Sequence, residues 1–283
     1  MTNADIQSLL ADACASLEGI SESPLLDAEI LLCHCLHKPR TYLRTWPEKI
    51  PTQAQREAFR QLLAQRRQGL PIAYIVGKRE FWSREFEVTP DVLIPRPDTE
   101  LLVELSLQLI PPKQPARLID LGTGSGIIAI TLAAERPEAQ VTASDRSQAA
   151  LKIAHANAER YRLRNIRFVE SNWFEAIAEH DFDLVVSNPP YIAADDPHLR
   201  RGDVRHEPEY ALISPEQGLR DIRTLAQQAR QHLNKGGHLL IEHGYNQQHA
   251  VQEIFASCHY QQIETHRDLS GNPRVTSGIW RPD

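Results

Sequence analysis

Beginning at Ala116, short apolar runs of strand length alternate with stretches of helical period, and few folds tolerate that order. ARLIDLG precedes a helix from Ile127, VTASD precedes a helix from Gln148, and NIRFVE leads to FDLVVSNPPY. A helix over 217–232 and the strand GGHLLIEHG follow. YQQIETHRD and NPRVTSGIWR then read as two closing strands joined through Gly271, an antiparallel edge pair. Short strands alternating with helices in this order predict an α/β fold: a doubly wound, mostly parallel sheet with helices on both faces.

Upstream the period is different. Apolar residues recur every three or four positions over 4–19 (Leu9, Leu10, Ala13, Leu17) and 25–37 (Ala28, Leu31, Leu32, Cys35), which predicts two helices. A third runs over 53–68 and is broken by Gly69 and Pro71. REFWSREFEVTP places Phe81, Trp82, Phe86 and Val88 among charged residues, as in a short hairpin. Pro97 and Asp98 then start a helix with Leu101, Leu102, Leu105 and Leu109 as its buried stripe. The expected organisation is a small helical N-terminal domain over 1–77, a hairpin linker over 78–95 and the α/β domain over 96–283.

Composition excludes several classes. No apolar run approaches the roughly 20 residues of a membrane helix, and the N-terminus carries acids where a secretory segment would be basic and then apolar. A cytoplasmic chain without a membrane partner is expected, with its four cysteines reduced. Cys33, His34, Cys35 and His37 suggest metal ligands, but a helix puts only Cys33 and His37 on one face, too few for zinc, so no metal is expected. The net charge of -6 argues against whole-surface attraction to nucleic acid. Yet Lys38 to Arg84 holds 11 basic residues against Glu48, Glu57 and Glu80, a local +8, and a patch around Arg56, Arg60, Arg66 and Arg67 is a candidate docking surface for an acidic partner.

Two loops carry the chemistry. Asp120-Leu-Gly-Thr-Gly-Ser-Gly126 follows a strand and opens a helix, and its glycines let a ligand approach the backbone at the carboxyl edge of the sheet. Dinucleotide sites show G-x-G-x-x-G, whereas Gly122, Gly124 and Gly126 give G-x-G-x-G with Ile127 beyond, a spacing that disfavours a pyrophosphate. Asp145, at the end of the next strand, is placed to take ribose hydroxyls on its two oxygens. The second loop, Ser187-Asn188-Pro189-Pro190-Tyr191, ends the fourth strand. Its prolines fix two backbone angles and remove two donors, leaving a stiff loop of acceptors. That suits methyl transfer to a planar NH2 group, amide or base amine, whose delocalised lone pair makes it a poor nucleophile. The Asn188 side-chain oxygen and the Pro189 carbonyl would each accept one N–H, and the Tyr191 ring would pack on the flat group.

Glycine loop and N-P-P-Y in this order resemble the amino-group methyltransferases that use S-adenosylmethionine, which act on adenine or on glutamine. REFWS at 79–83, LIPRPDTE at 93–100, SNPPYI at 187–192, DPHLRRGDVRHEP at 196–208 and LLIEHG at 239–244 narrow the resemblance, over nearly the full length, to the peptide chain release factor glutamine N(5)-methyltransferase (HemK/PrmC) family. The resemblance implies a seven-stranded Rossmann-like S-adenosylmethionine-dependent methyltransferase sheet. It also implies methylation of the glutamine in the Gly-Gly-Gln motif of class 1 release factors, helped by a substrate-binding N-terminal domain. Carried over by position, Gly122, Thr123, Gly124, Ser125, Gly126, Asp145, Asn172, Trp173 and Asn188 would hold the cofactor, which leaves as S-adenosylhomocysteine. Asn188, Pro189, Pro190 and Tyr191 would clamp the glutamine. Asn172 departs from the acidic residue usual before that tryptophan, and its amide oxygen would accept from the adenine amine more weakly. Alternatives are a glutamine of a ribosomal protein, against which the P-D-T-E run at 97–100 speaks, an adenine N6-methyltransferase of DNA or RNA, and a non-catalytic binding module. A monomer with no nucleic-acid substrate is expected, and no residue need act as a general base.

Overall fold

A computed structural model describes residues 4–282 of the chain. The backbone divides into two compact units: residues 1–78 with 197–206, and residues 79–196 with 207–283.

The smaller unit is helical. α1 (Ile6–Leu17) starts where the Asp5 carboxylate accepts the Ser8 N–H at 2.9 Å, and α2 (Pro24–Leu36) opens on a proline, whose missing N–H is no loss there. α3 (Arg40–Thr45) and α5 (Ile72–Val76) flank α4 (Gln53–Arg67), which begins with a reciprocal Thr52–Gln55 capping box. The three predicted helices are present, and α3 and α5 are additions too short for their period to be legible. Leu9, Ala13, Leu31, Leu32 and Phe59 form the core of this unit, with Cys33 and Cys35 packed at its margin.

The structure corrects the basic patch. Arg66 is buried, its Nε 2.7 Å from Asp27 and its Nη1 2.8 Å from Asp203 and 3.1 Å from the Leu70 carbonyl. It is an internal tie of α4 to α2 and to the returning segment 197–206, so only its neighbours Arg60 and Arg67 remain on the exposed surface.

In the larger unit β1 (Lys78–Phe81) and β2 (Arg84–Glu87) form the expected hairpin. A single 3₁₀ turn at Pro97–Thr99 leads into α6 (Glu100–Leu109). Here the buried stripe matches expectation in part: Leu102 is buried and Leu101 and Leu105 pack at the core's margin, but Val103 and Ser106 are inside as well and Leu109 is exposed. Leu109 is the last residue of the helix, and periodicity in a run this rich in leucine does not fix which leucines the core covers.

The sheet has seven strands: β3 (Arg117–Leu121), β4 (Gln140–Asp145), β5 (Ile166–Glu170), β6 (Phe182–Ser187), β7 (Leu233–Glu242), β8 (Gln261–Arg267) and β9 (Pro273–Ile279), in the order β5-β4-β3-β6-β7-β9-β8. The first five are parallel and β8 and β9 close the edge antiparallel, as the sequence predicts. One apolar cluster packs α6 and α7 (Ile127–Glu135) against the sheet, and a second packs α9 (Arg220–Ala229) and α10 (Gln248–Ser257). α8 (Gln148–Arg160) follows β4. The strand order reverses at β3, so the carboxyl ends of β3, β4 and β6 open on one crevice.

Candidate active site

Sheet register builds the site. Leu121 pairs with Ser144 on one side and Ser187 on the other, so the next residues, Gly122, Asp145 and Asn188, stand in one row at the sheet's carboxyl edge. The buried Ser187 hydroxyl donates to the Leu121 carbonyl at 2.7 Å, tying the two loops at their roots.

Above this row lies a cavity of about 240 Å³. Its walls include Gly122, Thr123, Gly124, Ser125, Asp145, Asn172, Trp173, Asn188 and Pro190, bringing together residues drawn from three strand ends and the loop after β5. Gly126, Pro189 and Tyr191 are not among those walls. Gly126 caps α7 at φ 85°, and a Cβ there would stand 2.6 Å from the Ile130 Cδ1, so its absent side chain serves helix packing. At Gly124, φ 55°, a Cβ would meet no protein atom within 4 Å, which leaves the loop's outer face open to a ligand.

Two acids anchor the glycine loop. Asp120 is completely buried; its Oδ2 accepts from the Thr123 hydroxyl at 2.6 Å and the Ala129 N–H at 3.2 Å, while Oδ1 has no partner. Burial pushes its carboxyl up to about 7, against those two donors. Asp145 accepts the Gly124 N–H on Oδ2 and the Ser147 N–H on Oδ1, both at 2.9 Å. Burial raises its pKa, and the two N–H groups draw it back. A carboxylate has about four lone-pair directions, so one per oxygen stays available for a diol. Asn172 donates its amide to Glu175 Oε1 at 2.7 Å, which directs its own oxygen elsewhere. Trp173, at φ 51°, is held by the Ser171 hydroxyl donating to its carbonyl at 2.8 Å.

At the second loop the Asn188 Nδ2 donates to the Thr99 hydroxyl at 3.2 Å. Tyr191 packs its ring against the apolar cluster of β6, β7, α9 and α10, and burial raises its phenol pKa, with Glu242 the next contributor. The loop beyond is braced: Gln247 Nε2 donates to the Tyr191 carbonyl at 3.0 Å, and Ile192 exchanges backbone bonds with Leu212 and Ser214. Sequence reading missed the opposite wall, where Val92, Leu93, Pro95, Arg96, Thr99 and Tyr210 face the cavity. LIPRPDTE marked that stretch without assigning it a role. Arg96 pairs with the buried Glu207, which also accepts the Ile94 N–H at 2.9 Å.

Set against known proteins, residues 8–77 match the family described as PrmC N-terminal domain and residues 98–201 the one described as Methyltransferase small domain. Among solved structures, a methyltransferase from Pyrococcus furiosus superposes with TM-score 0.54 at 18% identity, over 79% of this chain and 98% of that one. A 16S rRNA N2 methyltransferase from T. thermophilus gives TM-score 0.53 at 17% identity, over 72% of this chain and 50% of that one. The fold and the glycine loop thus define an S-adenosylmethionine-dependent methyltransferase. The release factor glutamine methyltransferase of Salmonella typhimurium is 49% identical over 278 residues, 98% of this chain and all of that protein. That of Escherichia coli K12 is 46% identical over 274 residues, 97% of this chain and 98% of that protein. The chain belongs to the release factor glutamine methyltransferase family.

Proposed function

We propose that this chain methylates the side-chain amide nitrogen of the glutamine in the Gly-Gly-Gln motif of class 1 peptide chain release factors. The observation that carries the site assignment is the orientation of Asn188: its NH2 is committed to Thr99, so its Oδ1 is the atom left to accept from a substrate amide beside the glycine loop. S-adenosylmethionine, when bound, supplies an electrophilic methyl carbon and departs as S-adenosylhomocysteine. Two features fit it: the orphaned Asp120 Oδ1 under the loop and the open backbone face at Gly124. Gly122 to Ser125, Asp145, Asn172 and Trp173 would hold it, with Asp145 on the ribose hydroxyls.

The chain's own residues solve the nucleophile problem. An amide nitrogen shares its lone pair with its carbonyl. Accepting one N–H on Asn188 Oδ1 and the other on the Pro189 carbonyl fixes the nitrogen's orientation and stabilises positive charge as the N–C bond forms. The Pro189 carbonyl carbon is bonded to Pro190, itself a cavity wall. The methylated amide then sheds its proton to water. Tyr191 supports the loop through its ring, packed on the apolar cluster, in place of stacking on the substrate.

The finer assignments are part of the same proposal: a monomer in the cytoplasm, a helical unit that binds the factor, and no nucleic acid as substrate. No helix among the described residues is long and apolar enough to cross a membrane. The deciding experiment incubates enzyme and labelled cofactor with purified release factor, and separately with oligonucleotides, and reads the Gly-Gly-Gln peptide by mass spectrometry. Methyl in the glutamine alone is the expected result; methyl in adenine alone overturns it.

A further inference from the structure

Pro189 and Pro190 carry no N–H, so the backbone of the reactive loop offers no donor in its middle and is fixed from its two ends. One end is the Ser187 hydroxyl on the Leu121 carbonyl, and the other is the Tyr191 carbonyl. That carbonyl meets Gln247, which stands just before α10 and is 9% exposed. The Gln247 side chain makes no capping bond to its own helix. Its Oε1 accepts the Gly244 N–H at 2.8 Å, and its Nε2 donates to the Tyr191 carbonyl at 3.0 Å and the Gln217 carbonyl at 3.1 Å. A flipped amide would set its oxygen against two carbonyls and its NH2 against an N–H, so one orientation alone satisfies all three partners.

The third of those partners belongs to a strained turn. Glu216, Gln217 and Gly218 are left-handed in succession, at φ 54°, 57° and 85°, a conformation that costs free energy at the two residues with side chains. Backbone bonds hold the turn against the loop, the Ser214 N–H donating to the Ile192 carbonyl at 3.0 Å and the Gly218 N–H to the Ser214 carbonyl at 3.1 Å. A Cβ at Gly218 would stand 2.0 Å from the Tyr191 carbonyl oxygen and 2.7 Å from Gln247 Nε2. Glycine is required there twice over, by its φ and by the space it leaves. Three segments, at 191, 217–218 and 244–247, therefore converge on one buried carboxamide.

We propose that Gln247, seated by Gly218, is a positioning residue for methyl transfer: by holding the Tyr191 carbonyl it fixes the reactive loop and with it the aim of the Pro189 carbonyl at the substrate amide. Each proline ring locks φ, so with Ser187 and Tyr191 both held, few rotations remain that could turn the Pro189 carbonyl away. Gln247 is not among the cavity walls and acts through the loop. This rests on the reading of Asn188 and Pro189 as the substrate's acceptors. A misplacement on the order of 1 Å at a reacting group costs about 100-fold in rate, so the loss falls on the chemical step.

The test uses the full chain, release factor and S-adenosylmethionine, with Gln247→Met, Gln247→Glu and Gly218→Ala beside wild type. Single-turnover rates are read at saturating substrates, cofactor affinity by calorimetry, KM for the release factor in steady state, and folding by urea titration. Gln247→Met, of similar length, should lower the methyl-transfer rate about tenfold, the worth of one neutral hydrogen bond, with KM and cofactor affinity unchanged. Gln247→Glu keeps an acceptor for Gly244 but, as a carboxylate, has no proton for either carbonyl, and should be at least as slow. Gly218→Ala should lose about 100-fold as its Cβ displaces the Tyr191 carbonyl. Gln247→Glu decides the matter if Gln247→Met does not fold. A wild-type rate in either Gln247 variant, or a loss confined to KM or cofactor affinity, overturns the proposal. Asn188→Ala in the same assay keeps the two ideas apart: full activity there overturns the underlying clamp, whereas an inactive Asn188→Ala beside a fully active Gln247→Met overturns only the role of Gln247.

Discussion

Replacing Arg66 with methionine should loosen the helical unit far more than the loss of any other arginine of its basic stretch. Arg66 and Asp27 are paired at 2.7 Å with side chains only 7% and 10% exposed. Removing the cation leaves Asp27 buried with the Ser21 hydroxyl at 2.7 Å as its remaining side-chain partner. Breaking a buried pair from one side costs about 3–5 kcal/mol, because the surviving charge stays desolvated. The second partner, Asp203, is 40% exposed, and a pair so open to water adds about 0–1 kcal/mol. Methionine keeps much of the aliphatic volume, so the change reads charge more than packing. Hydrogen exchange of the full chain, followed on peptides from α2 and α4, measures the unit's opening without isolating it. At about 1.4 kcal/mol per tenfold, protection in Arg66→Met should fall by about two to four orders of magnitude if those amides exchange through opening of the unit. Asp203→Asn should lose about fivefold at most, and Arg67→Met, at an exposed site, about twofold. Equal protection in Arg66→Met and Arg67→Met would show that the pair contributes nothing and that the buried-charge reasoning is wrong.

Other expectations follow from the active site. Asn188→Ala should bind S-adenosylmethionine with unchanged affinity yet turn over about 100- to 1000-fold more slowly, a split that calorimetry and single-turnover kinetics resolve. Asp145→Ala should weaken cofactor binding first, by about tenfold or more, since a charge-assisted hydrogen bond is lost; unchanged affinity would remove Asp145 from the ribose site. Gly124→Ala and Gly126→Ala should part company. At Gly126 the 2.6 Å approach to Ile130 Cδ1 costs about 1–3 kcal/mol of stability by overpacking. Gly124→Ala should fold with a smaller loss but bind the cofactor poorly, as unfolding curves and calorimetry would show. Asp120 holds its carboxyl at about 7 against an ordinary 3.8, so the fold favours the protonated form. Its contribution is complete below pH 3.8 and is lost as pH rises through about 7, and Asp120→Asn should flatten that slope in urea unfolding between pH 5 and 8.

Much of this protein was written in period and spacing. Central parallel strands buried on both faces, such as β3 and β6, leave apolar runs, and turning points at Gly126 and Gly271 need residues whose backbone can adopt positive φ. Five parallel strands, an antiparallel edge, and loops at 122–126 and 187–191 were therefore readable before any coordinates, as was the presence of Asp145 at a strand end. Position along the chain also places Asn188 at the crevice, because a loop that follows a central strand opens at its carboxyl edge.

Tertiary structure alone decided the rest, since the quantities involved depend on what stands opposite. Arg66 looks like its surface neighbours in sequence, and only the tertiary fold buries it against Asp27 and, through the return of residues 197–206, gives it a second acid. Leu102 and Leu109 are the same residue type on one helix, and only what packs over each separates them into buried and exposed. Tyr191 was expected on the substrate, and its ring also packs against an apolar cluster that the sequence does not place beside it. The Asn188 amide donates to a hydroxyl 89 positions away in sequence, an arrangement that spacing does not encode because hydrogen bonds are satisfied in space.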